Sequence, residues 1–423
     1  MEKTPETQSC REQNIQAIVD YLASGADARS TSVGIELEHQ ILSANGGKRV
    51  PYSGENGIES LLEKLSAQWD EKVFENDHLI GLSRVADGIQ ETVTLEPGGQ
   101  VELSCGPFSD TSVALEFLDE FEDELKDALK GTDQMAVLMG YPPVDAAADI
   151  ELAPKKRYEI MDKHFTEIGG YGTCMMRGSA ATQVSIDYAD EADMARKLRL
   201  ATAASPIIAM MCDNTVMFEG ELREHYLVRT EIWNGTDQAR CGVVPGVMED
   251  GFTFAKYAEW ILDTPAVVAM DADGNQTADE RTFGEIFADT PMTEADVKHA
   301  LSMVFPDVRL NKYIELRSAD ALPTKYAAAL ATLVKGCFYT KEALDELENL
   351  LGKVKARDIP LAKLSLMNEG YEAQVYGKKA WQLAEKMNVI AKTHLTREER
   401  EILEPLTTYA FTHVTLAEMT VFE

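Results

Sequence analysis

Apolar residues recur at every second position in four stretches of this chain and at helical spacing in several longer ones. From Val33 to Ile41, the side chains of Val33, Ile35, Leu37 and Ile41 fall on one face, and Gly34, Glu36, Glu38 and Gln40 on the other. Period two marks a strand with one buried face. TVTLEPGGQVELS, Thr92 to Ser104, predicts two strands around a Pro-Gly-Gly turn. In it Val93, Leu95, Val101 and Leu103 alternate with Thr94, Glu96, Gln100 and Glu102. Met176 to Tyr188 predicts another strand, with Val184 and Ile186 opposed to Gln183, Ser185 and Asp187. Residues 308–320 predict one more. There Val308, Leu310, Ile314 and Leu316 oppose Arg309, Asn311, Tyr313, Glu315 and Arg317.

Helical periodicity predicts helices over about 11–24, 57–69, 111–130 and 191–212, the last of these amphipathic. The acidic run in 111–130 reads as a solvated face. Thr293 is placed to cap a helix, and Thr396 with Glu399 forms a capping-box pattern. Residues 214–260 read as irregular and 271–280 as a polar loop. From about 324 the chain reads as helical almost to its end. No repeat, low-complexity tract or Pro/Ser-rich linker divides it. The prediction is one integrated α+β domain over 1–423, with a sheet-bearing part to 323 and a mostly helical part over 324–423.

Composition narrows the function classes. The 423 residues are 45% hydrophobic and carry a formal net charge of −32. Such a field repels nucleic-acid backbones and anionic lipid, so neither nucleic acid nor membrane is an expected partner. An anionic substrate would need local Arg, Lys or metal to overcome it. The N-terminal MEKTPETQSC has no apolar core of a secretory signal, and no apolar run spans a bilayer. The six cysteines (10, 105, 174, 212, 241 and 337) show no CxxC spacing, which predicts free thiols in a cytoplasmic location.

The polar faces of the strands carry the candidate chemistry. They hold acids, amides and arginines in place of the Lys, Thr and Ser of an ordinary wet face. If these strands share one antiparallel sheet, the faces combine into a trough. Glu36, Glu38, Glu96, Glu102 and Glu315 would then hold two or three divalent cations, Mg2+ by the hardness of the oxygen donors. Carboxylates crowded together repel unless a cation or proton lies between them. Arg177 and Arg229 offer guanidinium forks suited to carboxylate or phosphate. LEPGGQ lacks the Gly-Lys-Ser/Thr ending of a Walker loop, and no GxGxxG, HExxH or GxSxG occurs. His39 reads as a packed strand residue.

These residues resemble the plant-type glutamate–cysteine ligase family, over about 30–345. The resemblance lies in VGIELEHQ, LEPGGQVELS, and Arg157, Tyr158, Ile160 and Met161 ahead of TQVSIDY. It continues through DNTVMFEG, Arg229 to Trp233, EDGFTFAKYAEWILDTP and FPDVRLNKYIELRSAD. The family's arginine before the TQV strand aligns at Gly178, one residue after Arg177. The stretch from Ile80 to Pro97 reads as a loop longer than the family's.

The resemblance implies a glutamine-synthetase-like fold: a curved antiparallel sheet whose concave face is the active site, with helices outside. It implies ATP-dependent joining of the γ-carboxylate of L-glutamate to the amino group of L-cysteine through γ-glutamyl phosphate, the first step of glutathione-type thiol synthesis. By the same resemblance Glu36, Glu38, Glu96, Glu102 and Glu315 would hold Mg2+. Arg229, Arg177 and Arg317 would bind glutamate carboxylates or the γ-phosphoryl group, and Gln183, Tyr313, Gln100 and Trp233 would position substrate. The protein would be a monomer or homodimer. A different acceptor amine, or a scaffold without turnover, are the alternatives. The retained glutamates and arginines speak against the scaffold.

Overall fold

The alternating segments meet in one sheet. The structure, a computed structural model, describes residues 9–271 and 274–420. Nine strands make up the main sheet: β1 (Val33–Ser43), β2 (Glu71–Glu75), β3 (His78–Ala86), β4 (Ile89–Leu95), β5 (Val101–Phe108), β6 (Gln134–Val137), β7 (Ala181–Ile186), β8 (Val308–Leu310) and β9 (Ile314–Asp320). Their spatial order is β8-β9-β7-β1-β5-β4-β3-β2, with β6 paired to the end of β1. Neighbours run antiparallel throughout, and the sheet is open.

Register fixes which side chains share a face. Glu38 lies opposite Glu102, and Glu36 lies between Ser104 and Gln183. Glu315 lies between Arg309 and Ser185. The alternate residues Val33, Ile35, Leu37, Val93, Leu95, Val101, Leu103, Val184 and Ile186 are all buried on the opposite face. Each such side chain contributes about 1.5–3 kcal/mol by leaving water. The helices Thr111–Leu129 and Thr324–Phe338 cover that face, joined by a hydrogen bond between the Thr332 and Thr111 hydroxyls at 2.7 Å. His39, on the same face, packs edge-on to Phe121 and bonds Glu122 at 2.8 Å.

Several local expectations are corrected. The stretch read as a long loop after Ile80 is the β3–β4 hairpin. Asp87 and Gly88 both have positive φ (49° and 83°), the conformation an Asp-Gly hairpin turn supplies. In the Met176–Tyr188 stretch only β7 is strand, and Gly172–Arg177 is a short helix. Residues 308–320 are not one strand, because the turn at 311–313 separates β8 from β9. The irregular-looking 214–260 contains the helices Val228–Asn234, Gln238–Cys241 and Phe254–Asp263, too short for periodicity to reveal the first two.

The helix Glu191–Met211 is buried almost all round beyond Leu200 instead of amphipathic, since β9 and the C-terminal helices enclose it. Of the expected polar loop, Gln276–Thr282 is a strand paired with Pro265–Met270, while residues 272 and 273 lie outside the described residues. Most of MEKTPETQSC lies outside them too. The C-terminal part is helical, and the Thr396–Glu399 capping box is formed. All six cysteines are free thiols. Among the described residues no helix is long and apolar enough to cross a membrane.

Candidate active site

The polar face of the sheet floors a cavity of about 420 Å³. Glu36 and Glu38 come from β1, Gln100 and Glu102 from the start of β5, Gln183 from β7, and Arg309 and Arg317 from β8 and β9. The Pro-Gly-Gly turn contributes Glu96. The Gly99 N–H donates to the Glu96 carbonyl at 2.8 Å, and Gly99 has a φ of +77° that suits glycine. A Cβ on Gly98 would lie 2.0 Å from the carbonyl oxygen of Arg177, so this turn can only be closed by glycine.

The other wall comes from outside the sheet. Lys155, Arg157, Tyr158 and Met161 rise from the helix Lys156–Ile168 and the residue before it. Arg229 and Trp233 come from the helix Val228–Asn234, and Ser302 and Phe305 from a loop. Glu75 and Gln276 complete the rim. Five carboxylates and five cationic side chains line the cavity, so the −32 charge of the chain is locally offset.

Hydrogen bonds link these groups across the strands. The Ala181 N–H donates to Glu38 Oε2 at 2.9 Å and Gln183 Nε2 to Glu38 Oε1 at 3.2 Å. Arg317 donates to Gln183 Oε1. Glu315 accepts from Arg309 Nε at 2.6 Å and Nη2 at 3.0 Å, and lies 3.2 Å from Arg317 Nη1. The Thr94 hydroxyl donates to Glu102 at 2.8 Å. The Lys155 ammonium and the Tyr158 hydroxyl both donate to the Leu95 carbonyl, at 2.8 and 2.7 Å, which ties the helix to the strand end that bears Glu96.

Burial and mutual repulsion dominate the protonation of the acids. Burial pushes Glu36 well above the usual carboxylate range, and Glu315 and Glu102 add to it. Burial does the same to Glu38, with Glu96 and Glu102 adding. Glu102 is pushed up to about 7 by burial and then by Glu96. Glu315 behaves oppositely: burial would raise it, but Arg309 and Arg317 outweigh burial and hold it low. Burial lowers Lys155 against the pull of Glu96 and Glu102.

Among the described residues no three of His, Cys, Asp or Glu close on one point as a ready-made metal cage. The donor set nevertheless fits a hard divalent cation. Glu36, Glu38 and Glu102 are oxygen donors that repel one another, and a cation between them would relieve that repulsion. Both oxygens of Glu315 are already engaged by arginines, so a metal ion would compete with Arg309 and Arg317 for it.

Three sequence-predicted residues lie apart from the lining. Arg177 turns away: it donates to Asp162 at 2.8 and 2.6 Å and to the carbonyls of Ile150 at 2.9 Å and Ala148 at 3.3 Å. An arginine at the next position is sterically barred, because a Cβ on Gly178 would lie 2.2 Å from the ring of Tyr141. Tyr313 sits in the turn between β8 and β9, outside the lining. The remaining ones, Glu36, Glu38, Glu96, Glu102, Gln100, Gln183, Arg229, Arg317 and Trp233, share the cavity, and Glu315 lies in the floor behind Arg309 and Arg317.

Sequence reasoning passed over Lys155, Arg157, Tyr158, Ser302, Phe305 and Arg309 as site residues. Arg157, Tyr158, Phe305 and Arg309 stand inside the family-like stretches, which was a usable signal. Glu75 and Gln276 carried none. Four buried polar atoms of the lining have no partner: Gln100 Oε1, Gln276 Oε1, Arg229 Nε and Trp233 Nε1. Buried polar groups are normally satisfied, so these four are the unmet hydrogen-bonding groups of the site.

Comparison with known proteins places this geometry. The model of glutamate–cysteine ligase family 2 matches residues 32–408. The chain belongs to that family. It is 30% identical over 420 residues to the chloroplastic glutamate–cysteine ligase of Nicotiana tabacum, covering 95% of this chain and 78% of that protein. It is 29% identical over 415 residues to the Medicago truncatula enzyme, covering 95% and 80%. A crystal structure of a glutamate–cysteine ligase from Francisella tularensis in complex with AMP superposes with a TM-score of 0.54 at 11% identity, covering 92% of this chain and 84% of that one. That likeness is one of fold, and it supports the mixed helix and open antiparallel sheet. The relatives named are chloroplastic enzymes, which overturns the expectation of a cytoplasmic protein.

Proposed function

We propose that this member of the family joins the γ-carboxylate of L-glutamate to the amino group of L-cysteine at the expense of ATP, through γ-glutamyl phosphate. The observation that carries the proposal is the balanced trough: five acids and five cations around one cavity of about 420 Å³. Only such a site admits the phosphates of ATP and two amino acids into a strongly acidic protein. Mg2+ would supply charge neutralisation on the transferring phosphoryl group, held by Glu36, Glu38, Glu96 and Glu102, with Glu315 sharing in it where arginine releases it.

The cationic wall has a separate role. Arg229, Arg309, Arg317 and Arg157 stabilise negative charge on the γ-carboxylate and on the phosphoryl oxygens as it shifts. Their guanidinium groups are fixed before substrate arrives: Arg309 by Glu315, Arg317 by Gln183, Arg157 by Ser302 at 2.9 and 2.7 Å, and Arg229 by the Ala319 carbonyl at 2.8 Å. Little reorganisation is then needed in the transition state. Gln100 and Trp233 each carry an unmet hydrogen-bonding atom in the lining, and Gln183 holds Arg317 and Glu38 in register. The acceptor amine must lose a proton as it attacks. Lys155, lowered by burial, is the group of the trough not assigned to metal or phosphoryl oxygens that takes it.

The test is phosphate release with ATP, Mg2+ and L-glutamate, with and without each of the twenty amino acids. Strong stimulation by cysteine supports the proposal. Stimulation by another amine moves the acceptor and keeps the chemistry, and no release with any of them contradicts it.

A further inference from the structure

Behind Arg229, away from the substrate cavity, lies a second cluster of buried charges that the reaction does not touch. Asp320, the last residue of β9, is 4% exposed. Its Oδ2 accepts from the Asn214 N–H at 2.9 Å and from the Thr215 hydroxyl at 2.7 Å. Its Oδ1 faces Arg229 Nη1 at 3.8 Å. Asp213, next along the chain, accepts from Arg223 Nη1 at 2.5 Å and from the Leu227 N–H at 3.2 Å. Leu227 precedes the helix of Arg229 and is left-handed, with φ 59° and ψ 50°. A leucine rarely holds that conformation without support from its surroundings. Gly140 packs against the same group, since a Cβ there would lie 2.4 Å from both Asp320 and Thr215.

Arg229 is thus held from two sides. Asp213 fixes the backbone turn that starts its helix, and Asp320 stands behind its guanidinium. Arg229 lines the same cavity as Glu38, and its Nη1 donates to the Ala319 carbonyl at 2.8 Å. Arg229 Nε remains without a partner in the lining of the cavity. We propose that Asp320 is a positioning residue. Its charge, oriented by Asn214 and Thr215, holds the Arg229 guanidinium against the cavity wall, clear of the acids of the trough. Without that charge Arg229 shifts toward Glu38 and occupies one of the acids of the trough. The proposal rests on the ligase reading for its kinetic arm only.

The test is a double-mutant cycle with a crystal structure. Asp320→Asn preserves shape and can still accept from Asn214 and Thr215, but removes the charge. The expected result is a fall in kcat/KM for L-glutamate of about 100-fold, the scale of a misplaced catalytic contact. The same substitution in an Arg229→Gln background should change kcat/KM less than twofold, because its effect runs through Arg229. In the crystal structure of Asp320→Asn the guanidinium should lie closer to Glu38. Thr215→Val, which keeps the charge but removes one orienting bond, should give a smaller fall of the same kind, and it stands in if the first variant does not fold. An equal effect of Asp320→Asn with and without Arg229, or an unmoved Arg229 in the crystal, overturns the proposal. If wild-type protein releases no phosphate with any acceptor, the ligase reading fails, and the position of Arg229 in the crystal still decides this one.

Discussion

Replacing Glu315 by glutamine removes a single charge from the centre of the sheet, and the structure sets what that costs. Glu315 is fully buried and takes two hydrogen bonds from Arg309, at 2.6 and 3.0 Å, with Arg317 at 3.2 Å. Removing one partner of a buried ion pair ordinarily costs about 3–5 kcal/mol. Here a reserve charge stands by. Burial first, and then repulsion from Glu315 and Glu102, push the Glu36 carboxyl well above the usual carboxylate range, while Arg309 and Arg317 pull the other way. Once Glu315 is neutral, Glu36 loses that repulsion and keeps the attraction of Arg309 and Arg317, which favours its charged form and offsets part of the loss. What stays lost is the two-bond geometry, and hydrogen bonds to charged groups are worth about 1.5–3 kcal/mol. The predicted loss is therefore about 2 kcal/mol, a fall of roughly 2 °C in melting temperature for a chain this long.

Turnover should fall by about 100-fold or more, since Arg309 and Arg317 lose the partner that aims them. The double variant Glu36→Gln/Glu315→Gln has no reserve charge. It should cost about 1–2 kcal/mol beyond the sum of the single changes. The assay is thermal and urea denaturation of the single and double variants, with steady-state turnover measured in parallel. Additive stability losses, or a Glu315→Gln enzyme within threefold of wild-type turnover, would refute the reasoning.

Other predictions follow from the same geometry. Arg177→Ala should cost about 1–3 kcal/mol of stability through the loss of its partly buried pair with Asp162, while leaving the Michaelis constant for glutamate within twofold; a tenfold rise would return Arg177 to the site. Gly178→Ala should destabilise by about 1–3 kcal/mol, because the new methyl meets the Tyr141 ring; an unchanged melting curve would contradict the packing. Glu102 is raised to about 7 from a usual carboxylate value, so the folded protein binds more protons than the unfolded chain between those values. Stability from this group is complete in acid and is lost as pH rises through about 7. Mg2+ should then raise the melting temperature more at about pH 8 than at about pH 5.5, and a larger shift in acid would contradict the metal assignment.

The floor of the site was legible because β strands write their two faces directly into sequence. Glu36 with Glu38, and Glu96 with Glu102, stand at alternate positions among buried valines and leucines. That pattern also told which residues would be core. The register that sets Glu38 beside Glu102 is a property of paired strands, and no single strand contains it. The wall was less legible. Lys155, Arg157 and Gln276 reach the cavity from a helix and a two-stranded ribbon that pack over the sheet through contacts distant in sequence. Arg177 and Arg229 looked alike in sequence, each an arginine near aromatic or apolar residues. Their different fates follow from Asp162, which captures the first, and from Leu227, whose left-handed turn aims the second. The Asp-Gly at 87–88 was a plain hairpin signal within a stretch otherwise read as loop.

The central claim is that ATP phosphorylates the γ-carboxylate before the amine attacks. The most direct measurement uses L-glutamate labelled with 18O in its γ-carboxylate, together with ATP, Mg2+ and cysteine, and analyses the products by mass spectrometry. The account predicts γ-glutamylcysteine and inorganic phosphate carrying one 18O atom from the carboxylate. Unlabelled phosphate, or release of AMP and pyrophosphate, would contradict it.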